Sequence, residues 1–182
     1  GDATIASGDQ AVAIGLSNEA SGNASTALGG NTLSSGVASF AAGDGTIASG
    51  DASAAFGNFS FAGGTNALAG GLSTTADGAN SVAFGTGAQT TPTATDAVSM
   101  GSATTASGIS SVAMGDNVTA SGVASVAMGT NTSASATGSF AMGSSSIASG
   151  IRSIAMGDGS LASADDAIAI GRVRERRCRQ RR

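Results

Sequence analysis

The chain has 182 residues and a formal net charge of −4; Ala, Ser, Gly and Thr dominate it, and Lys, His, Trp and Tyr are absent. So few large side chains exclude an ordinary globular core, yet a content of 41% hydrophobic residues is too apolar for a disordered segment. With no histidine and Cys178 as the single cysteine, Ser-His, Cys-His and His-metal sites and any intrachain disulfide are excluded.

From the first residue onward the chain repeats itself. A phrase ending in glycine closes at Gly15, Gly29, Gly43, Gly57, Gly71, Gly85, Gly101, Gly115, Gly129, Gly143, Gly157 and Gly171, and ten of the eleven intervals are fourteen residues long. A fixed period of this kind decides the architecture before any local pattern does. Gly1 falls in the same register, so the chain reads as part of a longer array, with any targeting or anchoring segment outside it.

Positions are counted here as slots forward from each glycine. Slot 12 is Ala in eleven of twelve repeats, with Ser99 the exception. The neighbouring slots are large and apolar: Val12, Val82, Val98, Val112, Val126, Phe140, Ile154 and Ile168 are among those in slot 11, and Ile14, Phe84, Met100, Met114, Met128, Met142, Met156 and Ile170 among those in slot 13. Such large-small-large alternation is the period-two sign of a strand. Slots 5 to 7 carry a weaker phrase, as in Ile47-Ala48-Ser49-Gly50. The pattern predicts two strands of about four or five residues and two glycine turns per coil, stacked in parallel at roughly 4.8 Å. Twelve coils then make a rod on the order of 55 to 60 Å long. A glycine every seven residues, each costing about 1 kcal/mol, disfavours helix.

Glu19, Gln89, Thr75, Thr105 and Ser133 in slot 4 and the serines of slot 6 require that face to meet water. Alternation then turns the alanines of slots 5 and 12 inward, across a thin core, and slots 11 and 13 outward. The opposite packing, with Val and Met inside a wider coil, is the alternative. With alanine inside, about twenty large side chains form one outward stripe, more than soluble monomers expose. This predicts self-association through Val12, Ile14, Val82, Phe84, Val98, Met100, Val112, Met114, Val126, Met128, Phe140, Met142, Ile154, Met156, Ile168 and Ile170.

Asn58-Phe59-Ser60-Phe61 breaks the pattern with aromatics in slots 2 and 4. Either Phe59 and Phe61 anchor a ligand, or both rings pack locally over Leu33, Ile47 and one another. The one interval of sixteen, Gly85 to Gly101, contains Gln89-Thr90-Thr91-Pro92-Thr93-Ala94-Thr95-Asp96, and since Pro92 cannot donate to a ladder, a small outward bulge is expected there.

Gly-Asp pairs such as Gly8-Asp9, Gly50-Asp51 and Gly115-Asp116 read as turns rather than metal loops. Thr74-Thr75, Thr90-Thr91 and Thr104-Thr105 read as falling in different slots, without the continuous threonine ladder that ice binding needs. No catalytic residue, metal site or cofactor is expected. Residues 1–171 hold eleven acidic residues and Arg152 alone, 1 − 11 = −10, which argues against a nucleic-acid groove. Residues 172–182, RVRERRCRQRR, share no register with the repeat and read as a junction- or vector-derived end, with polyanion attraction the alternative.

Twelve in-register copies of the Ser-Val-Ala-Met-Gly type, with Ala-Ser-Gly between them, resemble the head repeats of trimeric autotransporter adhesins, the YadA-like family. The resemblance covers residues 1–171. It implies an all-β, left-handed parallel β-roll, three of which form a homotrimer at the tip of a bacterial outer-membrane stalk. It also implies attachment to host cells or extracellular matrix protein, with membrane contact only through a C-terminal anchor that this sequence lacks. A passive spacer without a ligand of its own is the other reading. The tail shows no heptads, so it does not resemble the start of a stalk.

Overall fold

The computed structural model describes residues 3–172. It is a parallel β-solenoid of twelve coils, with one long and one short strand in each coil. The long strands run from Val12–Leu16 to Ile168–Arg172 and the short strands from Ile5–Ala6 to Leu161–Ala162, each set forming one twelve-stranded parallel sheet. Every pairing joins a residue to its repeat equivalent, as in Val112↔Val126, Ala113↔Ala127 and Met114↔Met128. Arg172 continues the last long strand opposite Asp158; residues 173–182, the rest of the basic tail, lie outside the described residues.

Alanine is inside. Ala113, Ala127, Ala141 and Ala155 of slot 12, and Ala106, Ala120, Ala134 and Ala148 of slot 5, have no exposed surface and pack in one cluster. The alternative with Val and Met inside is thereby excluded. Slots 3 and 10 also point inward, which was not anticipated: Thr32, Thr46, Thr74 and Thr104, and Ser25, Ser53, Ser111 and Ser125, are buried. The same alternation that turns slot 12 inward does this to slot 10, and slot 3 follows slot 5.

Polar groups that intrude into the alanine rows find partners. Ser34 and Thr90 in slot 5 and Ser99 in slot 12 are the exceptions, and their hydroxyls meet Ser39, Ser81 and Thr104 at 2.7, 2.8 and 2.8 Å. Ser39 also donates to the Gly36 carbonyl at 2.7 Å. The buried hydroxyls of Ser25, Ser53, Ser111, Ser125 and Ser153 share that slot but have no partner in their present rotamers.

Two expectations about the coil need correction. The strands are unequal, five residues and two, rather than four or five each. The turns are not made by the glycines either. All twelve residues of slot 2 and all twelve of slot 9 have φ between 49° and 69°, and twenty of these twenty-four are not glycine. From Ala24 onward each corner amide is held by the preceding coil: Asn31 N–H donates to Leu16 O at 2.8 Å and Ala24 N–H to Asp9 O at 2.7 Å. These bonds impose the left-handed conformation on Ala, Ser, Asn and even Phe59, at a steric cost of about 1 kcal/mol per residue. Between the slot 2 corner and the turn beginning at slot 6 only three slots remain, and two of them, 4 and 5, form the short second strand.

The glycines serve close approach instead. At Gly115, φ is +134°, and an added Cβ would overlap the carbonyl of Gly129 in the next coil. Of the Gly-Asp pairs, Asp9 and Asp51 do lie in turns, but Asp116 ends a long strand. There the glycine continues the sheet rather than reversing it.

The sixteen-residue coil bulges outward as expected. Pro92 and Thr93 are exposed, and Ala94 N–H donates to Thr91 O at 2.9 Å, closing a tight turn with proline second. The two extra residues are confined to that turn, since Gln89 pairs with Thr105 and Val82 with Val98 in unbroken register. Thr90 repairs the local ladder: its hydroxyl accepts from the amides of Asp77 and Gly78 at 3.1 and 3.5 Å. Thr90→Ala should therefore destabilise the fold by about 1 to 3 kcal/mol, the cost of leaving buried donors unpaired, while Thr90→Ser retains most of the stability. Urea unfolding of both variants checks this; equal midpoints would contradict it.

Candidate functional site

The outward face of the long sheet carries slots 11, 13 and 1. It brings together all sixteen residues from Val12 and Ile14 to Ile168 and Ile170 named above, in two rows along the rod. Their side chains stack on their neighbours in the row and stand half-exposed along the middle of the rod, with Met100 at 39% and Phe84 at 37%. No charged residue occupies slots 11 to 13 in any coil. Charges gather at the edges instead: Asp44, Asp116 and Asp158 in slot 1, and Asp9, Asp51, Asp96, Asp165 and Asp166 at the slot 8 to 9 corner. An apolar strip with a polar rim is the composition of an association surface.

The edge charges are partly used within the chain. Arg152 and Asp166 form two hydrogen bonds, at 2.7 and 2.8 Å, which raise the guanidinium pKa and lower that of the carboxyl. Asp51 and Asp165 accept from the amides of Val37 and Ile151 one coil back, both at 2.9 Å. These contacts staple successive corners. Among the described residues no group of three or more His, Cys, Asp or Glu side chains is placed to hold a metal, and no helix is long and apolar enough to cross a membrane.

Phe59 and Phe61 are not brought together as an aromatic pair. Phe59 sits on a corner, 63% exposed, with its ring over Gly45. Phe61, expected to be exposed, is half-buried on the short sheet between Ile47 and Thr75, its ring against Gly63. Missing side chains beside each ring create its seat, so local packing accounts for both positions. The aromatic pair that does form is Phe40 with Phe56, ring centroids 5.3 Å apart, on the outward face of the long sheet.

One surface feature escaped the sequence reading, and the slot assignment of the threonine pairs needs correction. Val37, Ile109, Val123 and Ile151 share slot 8 and are exposed along one corner; their common slot was the available signal. Thr75, Gln89, Thr105, Thr119 and Ser133 form a continuous outward row on the short sheet, so Thr75 and Thr105 do share a slot. Counted from Gly71 and Gly101, the pairs Thr74-Thr75 and Thr104-Thr105 both occupy slots 3 and 4, and only Thr90-Thr91, in slots 5 and 6, lies elsewhere.

A repetitive solenoid with an alanine core, one apolar face and no clustered catalytic chemistry defines a protein of structural or binding class. The family model of the YadA head domain repeat (two copies) matches residues 6–32, 62–88, 93–117, 120–146 and 148–172, and the chain belongs to that family. It is a YadA-like head domain of the trimeric autotransporter adhesin type, a surface-exposed, adhesive and non-enzymatic family. No curated protein matches the chain.

Proposed function

We propose that three copies of this chain associate through the slot 11 and 13 face, and that the trimer is an adhesive head on the bacterial outer membrane, binding host matrix or cell-surface protein. The observation that carries the trimer is the uncharged double row turned out of the roll. With ten large side chains in each of two rows, and about 1.5 to 3 kcal/mol for each one buried, the association is worth tens of kcal/mol before ordering costs. The adhesive role rests on family membership. Binding is spread over the repeated outer surface, because the same outward rows recur coil after coil and each exposed ring has a local packing partner.

Sedimentation of the unaltered chain at micromolar concentration should show a trimer; a stable monomer defeats the proposal. Changing both Met114→Asp and Met128→Asp should dissociate it, since charges buried without partners cost several kcal/mol. The isolated roll should survive, because these side chains lie outside the alanine core. Solid-phase binding to collagen, fibronectin and laminin tests adhesion, and absence of binding by an intact trimer favours the spacer reading. Phe59→Ser with Phe61→Ser should leave both trimer and matrix binding unchanged; loss of binding alone makes the rings the ligand anchor.

A further inference from the structure

The outward face is not uniform along its length. From Val98 to Met156, slot 13 is methionine in five successive coils, and slot 11 is Val, Val, Val, Phe and Ile. Over this stretch each coil offers a partner nearly the same relief as the next. Nearer the N-terminus the relief changes from coil to coil. Slot 11 runs Phe40, Ala54, Leu68, Val82 while slot 13 runs Ala42, Phe56, Gly70, Phe84. In three of these coils a large residue in one row accompanies a small one in the other. The Phe40 and Phe56 rings close over this zigzag diagonally, 5.3 Å apart, and the Phe84 ring leans over Gly70, whose Cβ position it fills.

Repetition creates a problem for self-association. A copy displaced by one coil, about 4.8 Å, still sets Met against Met through the whole Val98–Met156 stretch and Val against Val in its first coils. Sequences without distinguishing features pair in weakly specified register. Displacement also prevents a closed ring, because successive shifts around a three-fold axis do not cancel. Ring closure acts only when the third copy joins, so a device that separates aligned from displaced in the first pair has to break translational sameness on the face itself.

We infer that Phe40, Ala42, Ala54, Phe56, Gly70 and Phe84 form an axial register lock between copies of this chain, an inference that rests on the proposed trimer. Its occupant is a second, parallel copy at equal height, because only that partner presents the same 4.8 Å relief with its own irregular coils opposite these. A one-coil shift sets the Phe40–Phe56 ridge of one copy against coils of different relief in its neighbour, leaving overlaps at some positions and voids at others, both of which tightly packed surfaces resist. The Val/Met stretch contributes contact area without choosing the height, and the irregular stretch chooses it.

The test uses disulfide cross-linking in the full chain with Cys178→Ser. Chains carrying Met114→Cys are assembled either with the same chain or with chains carrying Met128→Cys, one coil away. Disulfides need Cβ atoms about 3.5 to 4.5 Å apart, so a one-coil offset separates equal-height from displaced pairs. In the unaltered background, equal-height products should dominate. In a flattened chain with Phe40→Val, Ala42→Met, Ala54→Val, Phe56→Met, Gly70→Met and Phe84→Met, the displaced product should rise about tenfold, equivalent to removing about 1.4 kcal/mol of discrimination. If the flattened chain does not fold, the pair Phe40→Val with Phe56→Met is read in the same way.

A flattened chain whose cross-linked pairs are still only equal-height, in trimers and in every other assembly it forms, overturns the lock. Displaced products at full yield in the unaltered background overturn it as well. A monomeric unaltered chain instead sinks the trimer proposal, and sedimentation records that outcome separately.

Discussion

Gly115→Ala should lower the unfolding free energy by on the order of 4 kcal/mol, a large effect for a single methyl group. Two costs combine. The residue lies in the middle of a long strand at φ +134°, where L side chains rarely sit, and a Cβ there would overlap the carbonyl of Gly129. Neither atom can move alone, because Gly115 and Gly129 are paired in a ladder that runs the length of the rod. The control is Gly87→Ala. Its φ is +62°, but an added Cβ meets nothing within 4 Å, so only the left-handed penalty of about 1 kcal/mol applies. Thermal or urea unfolding of the two variants separates crowding from backbone strain. Equal losses would show that the close approach of successive coils carries no energy.

Ala127→Leu is expected to cost about 3 kcal/mol, whereas Met128→Leu, one residue away, should change the stability of the roll by less than about 1.5 kcal/mol. Ala127 has no exposed surface and sits among Ala113, Ala120, Ala134 and Ala141 in a core made almost wholly of alanine and small hydroxyl side chains. Three additional carbons have nowhere to go, because both sheets are continuous above and below and the space is repeated identically in each coil. Met128 stands on the opposite side of the same strand, half-exposed. Should Ala127→Leu be tolerated and Met128→Leu be disruptive, the strand faces are reversed.

Thr90 shows how far local rules reach. Threonine in an alanine row looks like an error until the two-residue insertion is placed beside it. The extra Pro92-Thr93 turn displaces the backbone that would otherwise serve the neighbouring amides, and the threonine hydroxyl takes over that role. Pro92 announced the bulge from the sequence because a residue without an N–H has no place in a central ladder. The compensation did not announce itself, since it joins residues twelve and thirteen positions apart.

Phe59 illustrates the opposite limit. Its slot is a left-handed corner, a conformation for which glycine or asparagine is the usual marker and phenylalanine is not. No residue preference could reveal it; the hydrogen bond from its amide to Asp44 O in the preceding coil, 2.9 Å, imposes it. The half-burial of Phe61 likewise depends on Gly63 being small enough to receive its ring.

The sequence by itself determined the period of fourteen, the in-register parallel stacking, and the choice of alanine for the inside. Each follows from alternation and residue size, properties a chain carries before it folds. Tertiary structure alone decided the unequal strand lengths, the left-handed corners at slots 2 and 9, and the inward rows of serine and threonine. Those features arise from hydrogen bonds and contacts between coils, where a residue's conformation is held by a residue of the neighbouring coil as well as by its own preferences.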